Sequence, residues 1–232
     1  MIFNETIKSD SNPVDRTEKF MFDGERLIQH IIKQRYFEEE ISNEVNLSYS
    51  DNQVTVTTDY LTLVYTLNSE GYASQCVYSL SSQNRIYQFS YSAEGYLTGI
   101  VENIDDTEYS STSLTYENGD ITSISSKMNG LENKFIYEPG EESSTYHLPC
   151  LGLLEIHPLT FHIEALYAGL LGKDPRHFTM HSCPAGSNDE KTVYSYGFDK
   201  KGNPSRMICQ TTYAGGQASY YPYTRNISIS FE

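Results

Sequence analysis

The stretch YSAEGYLTGI, residues 91–100, has a tyrosine arm, a polar reversal built on Ala-Glu-Gly, and a second arm of aromatic and aliphatic residues. Glycine in such a reversal supplies the positive φ that a tight turn needs, while β-branched and aromatic arms favour extended backbone on both sides. The pattern recurs as YTLNSEGYASQ from Tyr65, YENGDITSI from Tyr116, YEPGE from Tyr137 and YGFDKKGNPSR from Tyr196, with SDNQ (50–53) as an earlier turn of the same kind. The tyrosines at 65, 91, 116 and 137 are spaced 26, 25 and 21 residues apart, which suits two short strands and two turns per unit.

Within the arms the alternation has a period of two. Ser111, Ser113 and Thr115 share one face, and Thr112, Leu114 and Tyr116 share the other. Repeated local hairpins make neighbouring antiparallel strands in chain order, a topology that is cheap to reach. Strand twist bends so long a sheet, so the expected fold is mainly β: a single antiparallel meander curled into a half-barrel or a closed porin-like barrel. The segment GERLIQHIIKQRYFEEEI (24–41) fits either a helix face or an alternating strand, and we read it as strand. One α-helix is expected at about 158–172, in HPLTFHIEALYAGLLGK, where Leu159, Ile163, Leu166 and Leu170 form one apolar stripe. Pro158 opens this helix and Gly172 ends it. Its stripe needs a partner, so it packs on or plugs the sheet. The expected organisation is a flexible N-terminal segment (1–20) followed by a single β domain (21–232). That domain divides into a meander (21–150), the helix and an irregular loop (151–190), and closing strands (191–232).

Composition narrows the function. The 232 residues carry a net charge of −15, which repels phosphate backbones and anionic lipid surfaces, so no nucleic-acid partner is expected. No apolar run reaches the roughly 18 residues of a membrane-spanning helix, and MIFNETIKSDSNPVDRTEK at the N-terminus has no continuous apolar core. Twenty tyrosines and ten phenylalanines supply the large buried side chains in place of Trp, which is absent. NISISFE (226–232) alternates as a membrane barrel strand would, but Ser, Thr and charge fall on the wet face, so the chain is read as not membrane-spanning.

The turns ENGDITSI and YSAEGYLTGI, paired with YTLNSEGY and the later LYAGLLGK, resemble a family of secreted Bacteroidetes lipoproteins known as a domain of unknown function with a porin-like fold. The resemblance runs from about Arg26 to the end of the chain. It also extends distantly to the tyrosine-aspartate repeats of bacterial shell proteins, with Ser, Ala or Glu standing in place of the Asp. It implies a curled or closed antiparallel sheet in an exported protein, periplasmic or anchored at the outer-membrane surface by a lipid on a Cys upstream of this sequence. It supplies no catalytic residues.

Five of the six histidines, His147, His157, His162, His177 and His181, fall between Tyr146 and Cys183, but no HExxH or paired-Cys spacing accompanies them. They are read as capping, hydrogen-bonded or surface histidines, and no metal or cofactor is expected. Cys76, Cys150, Cys183 and Cys209 form no CxxC pair and read as buried thiols; in an exported protein they could form two disulfides in any of three pairings. No GxSxG elbow is present, and Glu38–Glu40 and Glu141–Glu142 read as solvated turns or strand ends. Tyr194 and Tyr196, with Tyr220, Tyr221 and Tyr223 around Pro222, are core or strand-pair aromatics first and a stacking platform second. No catalytic residue is assigned. The expected function is binding or scaffolding, for an unidentified small-molecule, glycan or peptide ligand. The alternative is a hydrolase with its site near the helix and the 174–190 loop.

Overall fold

In the computed structural model, which describes residues 2–8, 14–36, 39–80, 83–143, 153, 156–186, 190–213 and 223–231, the period-two alternation becomes sixteen strands. They are β1 (Ile2–Lys8), β2 (Val14–Asp23), β3 (Arg26–Tyr36), β4 (Glu39–Ser50), β5 (Gln53–Thr57), β6 (Thr62–Leu67), β7 (Ala73–Leu80) and β8 (Gln83–Tyr91). The second half comprises β9 (Leu97–Ile104), β10 (Thr107–Glu117), β11 (Asp120–Met128), β12 (Leu131–Ser143), β13 (His177–Pro184), β14 (Glu190–Phe198), β15 (Pro204–Tyr213) and β16 (Tyr223–Ser230). Each strand pairs antiparallel with its chain neighbours, and β1 pairs with both β2 and β16, so the sheet returns on itself as a barrel.

Turn chemistry sets the register. Asn118 and Gly119 both have positive φ, 53° and 89°, and join Glu117 to its partner Asp120 in a two-residue hairpin of the kind that Asn-Gly favours. The alternation then sorts the faces. Val54, Val56, Leu63, Tyr65, Tyr87, Phe89, Ile100, Leu114 and Ile124 are buried inside, while Asn46, Ser48, Gln88, Ser90, Ser113 and Thr115 are exposed outside.

Sixteen strands enclose more space than wall side chains alone can fill, as in channel-forming barrels of that strand number. The chain between β12 and β13 occupies part of it. A 3-10 turn (Leu159–Phe161) leads into the helix α1 (Ile163–Tyr167), and Leu159, Ala165, Leu166, Tyr167, Leu170 and Leu171 are buried against the wall. Tyr167 packs on Phe20 of β2, and the Ala73 amide at the start of β7 donates to the Leu170 carbonyl. The helical segment is therefore a plug, and it is shorter than the stripe of Leu159, Ile163, Leu166 and Leu170 implied. His162 interrupts it with non-helical φ, and the chain turns from Ala168 onward.

Three further sequence expectations differ from the structure. Residues 2–8 and 14–23 are wall strands, where a flexible segment was expected over 1–20. Half of the 174–190 loop is β13, because its prolines bound the strand: Pro175 precedes it and Pro184 is its last residue. YEPGE from Tyr137 is no turn; it lies within β12, and the register against β13 shifts on both sides of Pro139.

Candidate functional site

The plug fills the lumen unevenly. Its ring contacts with the wall lie on β2, β6, β8 and β10, and on the arc from β11 to β15 a cleft of about 430 Å³ remains. Its wall follows from strand register. Tyr137, Ser182, Thr192 and Thr211 stand opposite one another across β12, β13, β14 and β15, so their side chains form one inward row. Thr192 and Thr211 hydroxyls lie 2.9 Å apart, and Ser182 Oγ lies 3.1 Å from the Tyr194 hydroxyl. Ser126 and Asn133 extend the row, Met128 and Leu131 add exposed apolar surface, and Ile156 and His157 of the plug complete the lining.

His157 is fixed from two sides. Its carbonyl accepts hydrogen bonds from Thr112 Oγ1 at 3.0 Å and Ser126 Oγ at 3.3 Å. Its Nε2 lies 2.5 Å from Glu102 Oε2, which also accepts from Ser110 Oγ at 2.6 Å; Arg85 reaches Glu102 Oε1 at 3.2 Å. Burial alone would push the Glu102 carboxyl up, but hydrogen bonds from His157 and Ser110 and the charge of Arg85 hold it below its ordinary value. Glu102 is thus a fully buried anion with an Arg and a His as neighbours.

Two further polar contacts hold the plug. His30 of β3, fully buried, places Nδ1 2.8 Å from Glu164 of α1 and Nε2 2.9 Å from Glu18 of β2; Arg16 lies 2.7 Å from Glu18. Burial pulls the His30 pKa down, and the hydrogen bonds and charges of Glu164 and Glu18 overturn that and raise it. His162 shares a 2.7 Å hydrogen bond with Tyr65 through Nδ1; burial lowers its pKa to about 3, so the ring is neutral. Its Nε2 has no hydrogen-bond partner among the described residues, and Tyr87 and Phe89 meet the ring edge-on.

The sequence cluster of histidines is dispersed in space. His157 and His162 face different parts of the lumen, His177 pairs with Asp120 at 2.8 Å, and His181 pairs with Glu138 at 2.9 Å. Among the described residues no group of three or more His, Cys, Asp or Glu could hold a metal. Cys76, Cys183 and Cys209 form no disulfide among the described residues. Tyr194 lines the cleft, whereas Tyr196 stacks on Phe178 and donates to the Thr179 carbonyl. His147, Cys150, Tyr220, Tyr221 and Pro222 lie outside the described residues.

Within this cluster, a hydrolytic reading would use Ser110 as nucleophile and His157 as base. Ser110 is 2% exposed, and it shares Nε2 with Glu102 rather than taking the opposite ring nitrogen. The relay geometry of a serine hydrolase is absent from this cluster. Sequence reasoning missed Arg85, Glu102 and Ser110, because no linear motif joins residues on β8, β9, β10 and the plug; the only hint was Glu102 at an inward position of a strand.

The fold and the lumen define a porin-like barrel with an internal plug and a residual cleft. The chain belongs to the family described as a domain of unknown function (DUF4595) with porin-like fold, whose pattern matches residues 20–206. It is similar to a porin-like protein from Bacteroides uniformis ATCC 8492, with 28% identity, a TM-score of 0.89, and coverage of 100% of this chain and 95% of that one. A porin-like protein from Bacteroides vulgatus ATCC 8482 shares the fold at 11% identity and a TM-score of 0.61, covering 99% of this chain and 97% of that one. No curated protein matches the chain.

Proposed function

We propose that this chain is an exported binding module of the cell envelope, and that its ligand, a glycan or a peptide, enters the lumenal cleft over β11 to β15. One observation carries the reading: the plug leaves about 430 Å³ of lumen unfilled, in the size range of small-molecule sites, and Ser, Thr, Asn, Tyr and His side chains converge on it. The similarity to porin-like Bacteroides proteins supports the location. The polar outer face, with Asn46, Ser48, Gln88, Ser90, Ser113 and Thr115, supports a barrel that stands in water, held to a membrane only by a lipid anchor if one precedes it.

Isothermal titration with neutral mono- and disaccharides and with uncharged tripeptides tests the reading. The wild-type protein is expected to bind at least one probe, and Thr192→Trp, which puts an indole into the inward row, is expected to abolish that binding. Failure of every probe, or binding that survives Thr192→Trp, would overturn it.

A further inference from the structure

The cleft has an acceptor built into its floor. A carboxylate only accepts hydrogen bonds, so with Glu102 ionised the Nε2 of His157 must carry the hydrogen, and in the neutral ring Nδ1 is left with a lone pair. Nδ1 has no hydrogen-bond partner among the described residues, and the side chain is 26% exposed where it lines the cleft. The ring is also held in place. Its backbone carbonyl is tied to β10 and β11, and Tyr109 and Phe161 meet it edge-to-face at centroid distances of 6.3 and 5.7 Å. Arg85 and Ser110 fix the carboxylate in turn. A buried carboxylate orienting a histidine is the arrangement by which proteins select one tautomer and fix the direction of the other nitrogen.

The remaining lining states what such an acceptor would meet. Asn133, Ser182, Thr192 and Thr211 offer uncharged groups that both donate and accept, and Tyr137 and Tyr194 offer aromatic surface. Glu190 is the one Asp, Glu, Lys or Arg among the described lining residues, so an anion meets no Lys or Arg there. Many hydroxyls in a small neutral body match this set, and each can give its hydrogen to a nitrogen lone pair.

We propose that the cleft takes a neutral saccharide and that His157, oriented by Glu102, accepts a hydrogen bond from a sugar hydroxyl through Nδ1. This inference rests on the cleft being the ligand site, and it adds the ligand class and the residue that selects it.

The test uses ¹⁵N-histidine-labelled protein with maltose, cellobiose and lactose as probes, glucuronate as the anionic control, and the same tripeptides. Three results are expected: an Nε2–H tautomer for His157 in the free protein, a shift of its Nδ1 resonance on adding a binding disaccharide, and no response to glucuronate. His157→Phe keeps a planar ring but has no acceptor, and it should weaken disaccharide binding about tenfold or more. His157→Gln, whose amide can donate to Glu102 while its carbonyl accepts, should restore affinity to within about threefold. The tautomer measurement needs no substitution and stands even if a variant fails to fold. An Nδ1–H tautomer, an unmoved Nδ1 resonance, or full affinity in His157→Phe would overturn the role of His157; the cleft reading would survive if binding were still lost in Thr192→Trp. Tripeptide binding without disaccharide binding would overturn the ligand class alone, and no binding at all would overturn both.

Discussion

At the scale of single residues, the polar groups inside the barrel are the most informative. His162 and Tyr65 are both fully buried and share one hydrogen bond. His162→Leu should cost about 1–3 kcal/mol, because the Tyr65 hydroxyl loses its nitrogen partner in a dry site. Adding Tyr65→Phe should recover part of that loss, with a coupling energy of about 1 kcal/mol in a double-mutant cycle of urea unfolding. A cycle that closes with no coupling would show that the pair contributes nothing. His30 adds a pH dependence whose sign is fixed. Its folded pKa lies above the unfolded value of about 6.5, so its bonds to Glu18 and Glu164 contribute fully below that value and are lost as pH rises through the folded pKa. The urea midpoint should rise on going from alkaline to neutral pH and His30→Gln should flatten that rise; an unchanged slope would contradict the assignment. None of these roles was legible in the sequence. The histidines cluster along the chain between 147 and 181, yet their partners Tyr65, Glu102, Asp120 and Glu138 come from distant strands.

At the scale of elements, the tyrosine repeat has a geometric explanation. Tyr65, Tyr91, Tyr116, Tyr137 and Tyr196 lie on β6, β8, β10, β12 and β14, and in an up-and-down barrel these even strands run in the same direction. The repeat therefore sets a tyrosine on every second strand from β6 to β14. Tyr65 and Tyr137 are buried, and the Tyr91 hydroxyl donates to the Ala73 carbonyl, beside the point where the plug docks. The hairpins were legible because glycine turns and alternation are local. The plug was only half legible: its apolar stripe was visible, but its length was not, since His162 and the turn after Tyr167 answer to the lumen rather than to helix propensity. Gly172 shows how closely the plug sits. Its φ is +90°, and a Cβ there would lie 2.7 Å from the Gly95 carbonyl oxygen, which belongs to a backbone turn that cannot swing aside. Gly172→Ala should destabilise the protein by about 2 kcal/mol or more, read as a lowered urea midpoint. A change within about 0.5 kcal/mol would mean that the turn adapts.

At the scale of the whole molecule, the barrel is packed from within and carries polar residues such as Asn46, Ser48, Gln88, Ser90, Ser113 and Thr115 on its outer face. Incubated with lipid vesicles and floated on a density gradient, the unlipidated 232-residue chain should stay in the aqueous fraction; movement of most of it with the vesicles would contradict that arrangement. The mainly β meander was legible in the sequence, and so was a plug for it. The cleft was not, because it is the difference between the volume of a sixteen-strand ring and the volume of a short segment of chain, and only the closed geometry fixes either. The pairing of β1 with β16 has a consequence for how the molecule is made. Ribosomal synthesis delivers β1 to β12 first, as an open trough with its greasy side uncovered, then the plug, and only at the end the strand that seals the gap between β15 and β1. Until that last strand arrives, two raw borders with unpaired amides and carbonyls are open to other chains, and sealing them ends that exposure.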